Sequence, residues 1–273
     1  MKFSDQAVSF SGHETFHLRF AWLSKGFRAL ERDPATFDDH DQATVTLGVG
    51  KNMVTAIRHW LKVTGLVDAK SLRPTLIGQL IFDERNGVDP YLEDQTTLWL
   101  LHWLLASNTQ KATTVAWFFN KYQKQQFEQR ELRAALQDYL KVNVKASRRP
   151  SSLNTLKNDI SVLTRLYAKS QFAVISDEVL DSPLTELGLL LESQKGVYTS
   201  LIQDQLSLPA EILGYSIIDL MVWRKKEIMP LDELLHSSDN HVSPGSVFRL
   251  KESAFIDKLE VLVRDYANIF TFR

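Results

Sequence analysis

The stretch DHDQATVTLGVGKNMVTAIRHWLKVTGLVDAKSLRP at 39–74 decides the fold. It reads as a short helix over about Asp39–Thr46, a Gly48-Val49-Gly50 turn, and a longer helix from Lys51 to about Thr64 that Gly65 terminates. Along 51–64, Val54, Ile57 and Leu61, helped by Met53 and Trp60, make one apolar face. Lys51, Thr55, Arg58 and Lys62 fall on another face, at steps of four, three and four. A recognition helix needs this division, with one side packed on its own domain and the other offering Lys51, Asn52, Thr55, Arg58 and Lys62 to a DNA major groove. The same pattern also suits an ordinary amphipathic surface helix. Leu66-Val67 and Leu72-Arg73-Pro74, around the polar Asp68–Ser71 turn, are short enough for the two strands of a wing. Upstream, Phe16, Phe20, Leu23, Phe27 and Leu30 recur at helical steps until Asp33-Pro34, so three helices and a small hairpin make a winged helix.

Beyond Asn86-Gly87-Val88-Asp89-Pro90, helices are expected at 93–106, 112–123 and 128–141, and another over about Leu153–Ala168. Leu187–Glu192 and Val197–Ile202 flank Ser193–Gly196 as a hairpin, consistent with a second winged-helix-like unit. Helices at about 209–225, 231–236 and 252–266, with a strand at 246–250, would form a third. The expected class is mainly α: tandem winged-helix-like units with short β-hairpins around a helical middle. The expected units are 1–85, 86–205 and 206–273. They share no alignable repeat.

Within 273 residues, 44% hydrophobic and 24% charged composition is that of a globular chain rather than a disordered or fibrous one. The absence of cysteine excludes disulfides and thiolate metal sites. No leader-like or membrane-length apolar run is present, which fits a cytoplasmic protein. The net charge of -1 leaves DNA binding to local patches. One such patch is KVNVKASRR at 141–149, with Lys145, Arg148 and Arg149; a solvated loop is the plainer reading. Asp177, Glu178, Asp181, Glu186 and Glu192 make the following segment acidic.

Two glycines and the amide-rich start of the 51–64 helix, with Lys51 beside them, could dock a phosphate. The string TLGVGKN is not a nucleoside-triphosphate loop, because Val45 replaces its first glycine and Asn52 its magnesium-binding hydroxyl. His13-Glu14-Thr15-Phe16-His17 matches H-E-x-x-H, but without the extension that a zinc protease would carry. Magnesium suits the carboxylates better: Glu14, and Asp89, Glu93 and Asp94 at a loop-to-helix junction. The last three also suit helix capping. In a metal site, Glu14 would be the first ligand and His13 a proton carrier.

FSGHETFHLRFAWLSKGF at 10–27, LGVGKNMVTAIRHWLKVTGLV at 47–67 and DPYLEDQTTLWLLHWLLA at 89–106 resemble an uncharacterised bacterial family from DNA phosphorothioation gene clusters. SLNTLKNDISVLTRLY at 152–167, LDSPLTELGLL at 180–190 and PGSVFRL at 244–250 extend the resemblance along nearly the whole chain. It implies a DNA-nicking component working beside a cysteine desulfurase and an ATP-pyrophosphatase-like protein. A non-catalytic winged-helix adaptor that recruits those enzymes is the alternative. The family's HETF is often not followed by histidine, which speaks against His17 as an essential ligand.

Overall fold

The computed structural model describes residues 1–150, 152–170, 182–237 and 240–271. Helix α1 (Phe20–Arg32), α2 (His40–Leu47) and α3 (Lys51–Val63) pack on one another, and α4 (Leu76–Phe82) lies against α1. The apolar faces read from periodicity meet here, with Leu23, Phe27 and Leu30 of α1 and Val54, Ile57 and Leu61 of α3 all buried. Gly26 permits the close approach of these two helices, since a Cβ there would lie 2.5 Å from Ile57 Cγ2. Asp39 caps α2 by accepting from the amides of Asp41 and Gln42, and Gly48 closes it at φ 58°. Three residues later α3 begins, so the helix, turn and helix of 39–64 stand as read.

Three local expectations change. Helix α1 starts at Phe20 rather than Phe16, because residues 12–15 form turns. The wing at 66–74 shrinks to a single antiparallel bridge between Val67 and Pro74. Asp68 accepts from the amides of Lys70 and Ser71, Leu72 turns at φ 58°, and Pro74 has no N–H to extend a ladder. The strand expected at 246–250 gives way to α11 (Pro244–Val247), because Ser243 caps the Ser246 amide and Pro244 presets the first turn.

The middle of the chain is built on α5 (Gln95–Ala106), whose Trp99 and Trp103 are fully buried. Against it pack α6 (Thr113–Lys121) and α9 (Ala210–Arg224); α8 (Leu153–Tyr167) lies on α6 and on α7 (Gln129–Asn143), α12 (Glu252–Asp265) lies on α9, and α10 (Leu231–Leu235) lies on α11. Four short strands, β1 (Gln126–Glu128), β2 (Ala168–Ser170), β3 (Leu190–Gln194) and β4 (Val197–Thr199), form a sheet in the order β1-β4-β3-β2. The expected hairpin is the β3–β4 pair, flanked by antiparallel β1 and parallel β2. The chain is therefore mainly α with one small mixed sheet. Buried residues from Phe3 to Leu262 join in one hydrophobic cluster. No helix among the described residues is long and apolar enough to cross a membrane.

His102 ties three elements together in this core. Its ring nitrogens lie 2.9 Å from Tyr167 Oη on α8 and 2.9 Å from the Val247 carbonyl on α11. Burial pushes its pKa down to about 3 from 6.5, with Arg249 adding to the effect. The unfolded chain thus binds a proton near pH 6.5 that the folded chain refuses until about 3. Stability is full above pH 6.5 and falls as pH drops through that window, by about 1.4 kcal/mol per unit. Denaturant melts between pH 7 and 5 should show about 2 kcal/mol more acid loss in the wild type than in His102→Gln. Parallel pH profiles for the two proteins would contradict this.

Candidate nucleic-acid interface and the latched loop beside it

Lys51, Thr55, Arg58 and Lys62 share one side of α3 by helical geometry. Their surroundings differ. Lys51 is exposed and its Nζ lies 2.7 Å from Asp41 Oδ1, so the cation beside the α3 N-terminus already has a partner across the turn. Asn52 is exposed, whereas Thr55, Arg58 and Lys62 are half-buried. Desolvation, then Arg58 and Lys111, lowers the Lys62 pKa, which marks three crowded cations. Arg58 Nε is buried with no hydrogen-bond partner among the described residues.

Lys111 was not among the residues expected from sequence. It sits in the turn between α5 and α6, and Asn108 of the same turn donates from Nδ2 to the Val63 carbonyl at 2.9 Å. That bond fastens the turn to the end of α3. No periodic signal could reveal the pairing, because only tertiary packing brings Lys111 to Lys62.

The same half of α3 carries His59, against which the loop 10–16 is folded. Ser11, Glu14 and Thr15 take φ values of 62°, 48° and 66°, left-handed conformations costing on the order of 1–3 kcal/mol each. Asp159, buried on α8, holds them in place. Its Oδ1 accepts from the Ser11 amide at 3.0 Å and lies 3.2 Å from His13 Nε2. Its Oδ2 accepts from Thr114 Oγ1 at 3.0 Å. That His13 contact is close but poorly aligned for a hydrogen bond. His13 Nδ1 accepts from the Thr15 amide at 3.1 Å, and Arg165 Nη2 donates to the Thr15 carbonyl at 2.7 Å. Trp60 Nε1 reaches the Phe16 carbonyl at 3.2 Å. Only glycine fits at position 12, since a Cβ would stand 2.4 Å from His59 Nδ1. Burial, with His13 and Lys62 adding to it, holds His59 neutral with its pKa down at about 3.

His13 and Glu14 therefore lie in a latched turn and not on a helix. The H-E-x-x-H geometry is lost, because it needs two imidazoles one helical turn apart. His13 is buried with its Nδ1 occupied, while Glu14 beside it is exposed. Glu14 is not at the start of α1, as expected, but precedes it by a turn and an extended segment. The loop also meets the His59–Trp60 end of α3, about 12 Å along the axis from Lys51.

The acids at 89–94 act mainly as caps. Asp89 is buried, and its two oxygens accept from the amides of Glu93 at 2.9 Å and Asp94 at 3.2 Å. Asp94 caps α5 through the Thr96 amide at 2.7 Å, and Glu93 is exposed. Among the described residues no three histidine, aspartate or glutamate side chains converge as a metal cage. In the basic run, Lys145 lies 3.5 Å from Asp5, and Arg149 donates to the Val144 and Lys141 carbonyls that end α7. Arg148 is exposed and makes no side-chain bond with the described residues. Asp177, Glu178 and Asp181 lie outside the described residues; Glu186 is exposed and Glu192 half-buried.

The model of a family described as protein of unknown function (DUF4007) matches residues 10–273, from the latched loop to the last residue. The chain belongs to the DUF4007 family. No curated protein matches it. A magnesium ion-bound SspB crystal structure is similar to this DUF4007 chain at TM-score 0.79 and 28% identity, covering 96% of this chain and 80% of that one. A second SspB crystal structure is similar at TM-score 0.79 and 26% identity, with the same coverage. The resemblance read from the segments between 10 and 250 therefore holds over the whole DUF4007 fold.

Proposed function

We propose that this DUF4007 chain is a DNA-binding, magnesium-dependent nicking endonuclease of a bacterial DNA phosphorothioation system. It would work in the cytoplasm beside a cysteine desulfurase and an ATP-pyrophosphatase-like protein. The observation that carries this reading is the likeness to magnesium ion-bound SspB across 96% of the chain. The N-terminal unit, 1–85, is then a reduced winged helix: α2, the glycine turn and α3 are its reading head, and the Val67–Pro74 bridge is its wing. Division at 85/86 and 205/206, with further winged-helix-like units beyond, belongs to the same proposal. Arg58, Lys62 and Lys111 would meet DNA phosphates, with Lys51, Asn52 and Thr55 along the same helix and Lys145, Arg148 and Arg149 on a second patch.

The donor set suits a magnesium ion held by one or two carboxylates, with water and DNA phosphate oxygens completing its shell. Glu14 fits best: it is exposed, in a loop that packs on the His59–Trp60 part of α3. Glu93 and Asp94 are the second choice, since Asp89 has both oxygens committed to amides. Bound there, the ion would activate water and neutralise charge at the cleaved oxygen. His13 would carry a proton only if its bond to the Thr15 amide opened. The second reading is a non-catalytic adaptor that recruits the modification enzymes and needs only the cationic face of α3 for DNA.

Titration calorimetry with magnesium, in the presence and absence of a DNA duplex, tests the metal assignment. Binding should tighten when DNA is bound, and Glu14→Gln should weaken it about tenfold or more while Glu93→Gln leaves it unchanged. Loss with Glu93→Gln alone would move the ion to the 89–94 turn. No binding in either condition would leave the adaptor.

A further inference from the structure

A groove of about 920 Å³ runs between α1 and the 33–46 segment, on the opposite side of α1 from α3. Helix α1 turns Gly26 and Leu23 inward, and it lines the groove with Phe20, Lys25 and Arg28. Tyr91 also lines it and is 63% exposed, unusual for so large a ring. Its placement is fixed by the neighbouring turn. Asp89 grips the amides of Glu93 and Asp94, and Leu92 is driven into the core at φ 59°. A strained, tightly bonded turn therefore presents an aromatic side chain to solvent.

The α1 wall of the groove is cationic. The Arg28 guanidinium carbon lies 5.2 Å from the Tyr91 ring centroid, and Arg28 Nε is buried without a hydrogen-bond partner among the described residues. Lys25 Nζ donates one bond, to the Leu47 carbonyl at 3.1 Å, and keeps further N–H groups for a ligand. The facing wall is acidic. Asp33 and Asp39 there accept backbone amides, whereas Asp38 is exposed and able to accept from a base N–H group. An aromatic platform, adjacent cations and a carboxylate match the π-face, phosphate and donor edge of a nucleotide. A paired base presents no free face to such a platform.

We infer that this groove is a cleft for an unpaired nucleotide within a DNA strand, stacked on Tyr91 with its phosphate at Lys25 and Arg28. The inference deepens the DNA-binding proposal and rests on it, but it uses a surface separate from α3. The test measures anisotropy of a short labelled oligothymidylate and, separately, of a blunt duplex. A parallel strand carries 2-aminopurine, whose fluorescence falls on stacking. Tyr91→Leu and Arg28→Gln should each weaken oligothymidylate binding about tenfold and relieve the quenching, with duplex affinity unchanged. Tyr91→Trp should retain both, which controls for folding. Oligothymidylate binding indifferent to Tyr91→Leu, or absent while duplex binds, overturns the cleft and leaves the duplex reading intact. Competition by free thymidine monophosphate as strong as by the oligomer would also overturn it, in favour of a free-nucleotide site. Failure to bind either DNA removes both proposals.

Discussion

Replacing Arg58, Lys62 and Lys111 together by alanine is expected to lower affinity for duplex DNA about a hundredfold at physiological salt. The salt dependence should flatten at the same time, by close to 3 units of slope, because each phosphate contact contributes about 0.9. The chain has a net charge of -1, so nothing global can compensate for the loss of this cluster. Lys51→Ala should matter less, since Lys51 is shared with Asp41 before any DNA arrives. Anisotropy titrations of one duplex at several salt concentrations check both. Unchanged affinity and slope in the triple variant would remove the α3 face from the interface.

Asp159→Ala is expected to cost about 3–5 kcal/mol in denaturant unfolding. The change leaves the Ser11 amide, the Thr114 hydroxyl and His13 Nε2 facing a buried void where a carboxylate had received them. Asp159→Asn keeps an acceptor oxygen and should cost clearly less. Because the three left-handed residues of the loop depend on this latch, limited proteolysis should cut Asp159→Ala first within 11–15. Wild-type stability in Asp159→Ala, or cleavage elsewhere first, would show that the loop is held by Arg165 and Trp60 without Asp159.

Much of this architecture is written in local patterns. The four-three-four spacing of Lys51, Thr55, Arg58 and Lys62, against the apolar Val54, Ile57 and Leu61, is enough to orient α3. Helix α5 needed only its run of tryptophans and leucines, and the β3–β4 hairpin its Gly196 turn. Other features depend on partners distant in sequence. Phe16 continues the apolar spacing of α1, yet Asp159, Arg165 and Trp60 pull its segment into a turn. Strands β1 and β2 span three residues each, too few to show a period, and exist because the hairpin offers them edges. At 246–250, a β-like string lost to the Ser243-Pro244 start signal beside it.

The candidate site was half legible for the same reason. The cations of α3 and the exposed Glu14 could be found on sequence alone, whereas Lys111, Thr114 and Asp159 carry no local mark. Asp89 and Asp94 read more as caps than as ligands, and the geometry gives both of them backbone amides to hold.

Magnesium-dependent nicking is measured on supercoiled plasmid incubated with the purified chain, with magnesium or with chelator. The open-circular form should accumulate only with magnesium, and Glu14→Gln, still folded and still binding DNA, should abolish it. Plasmid that stays supercoiled in magnesium while the protein is bound to it would contradict nicking and make the chain an adaptor.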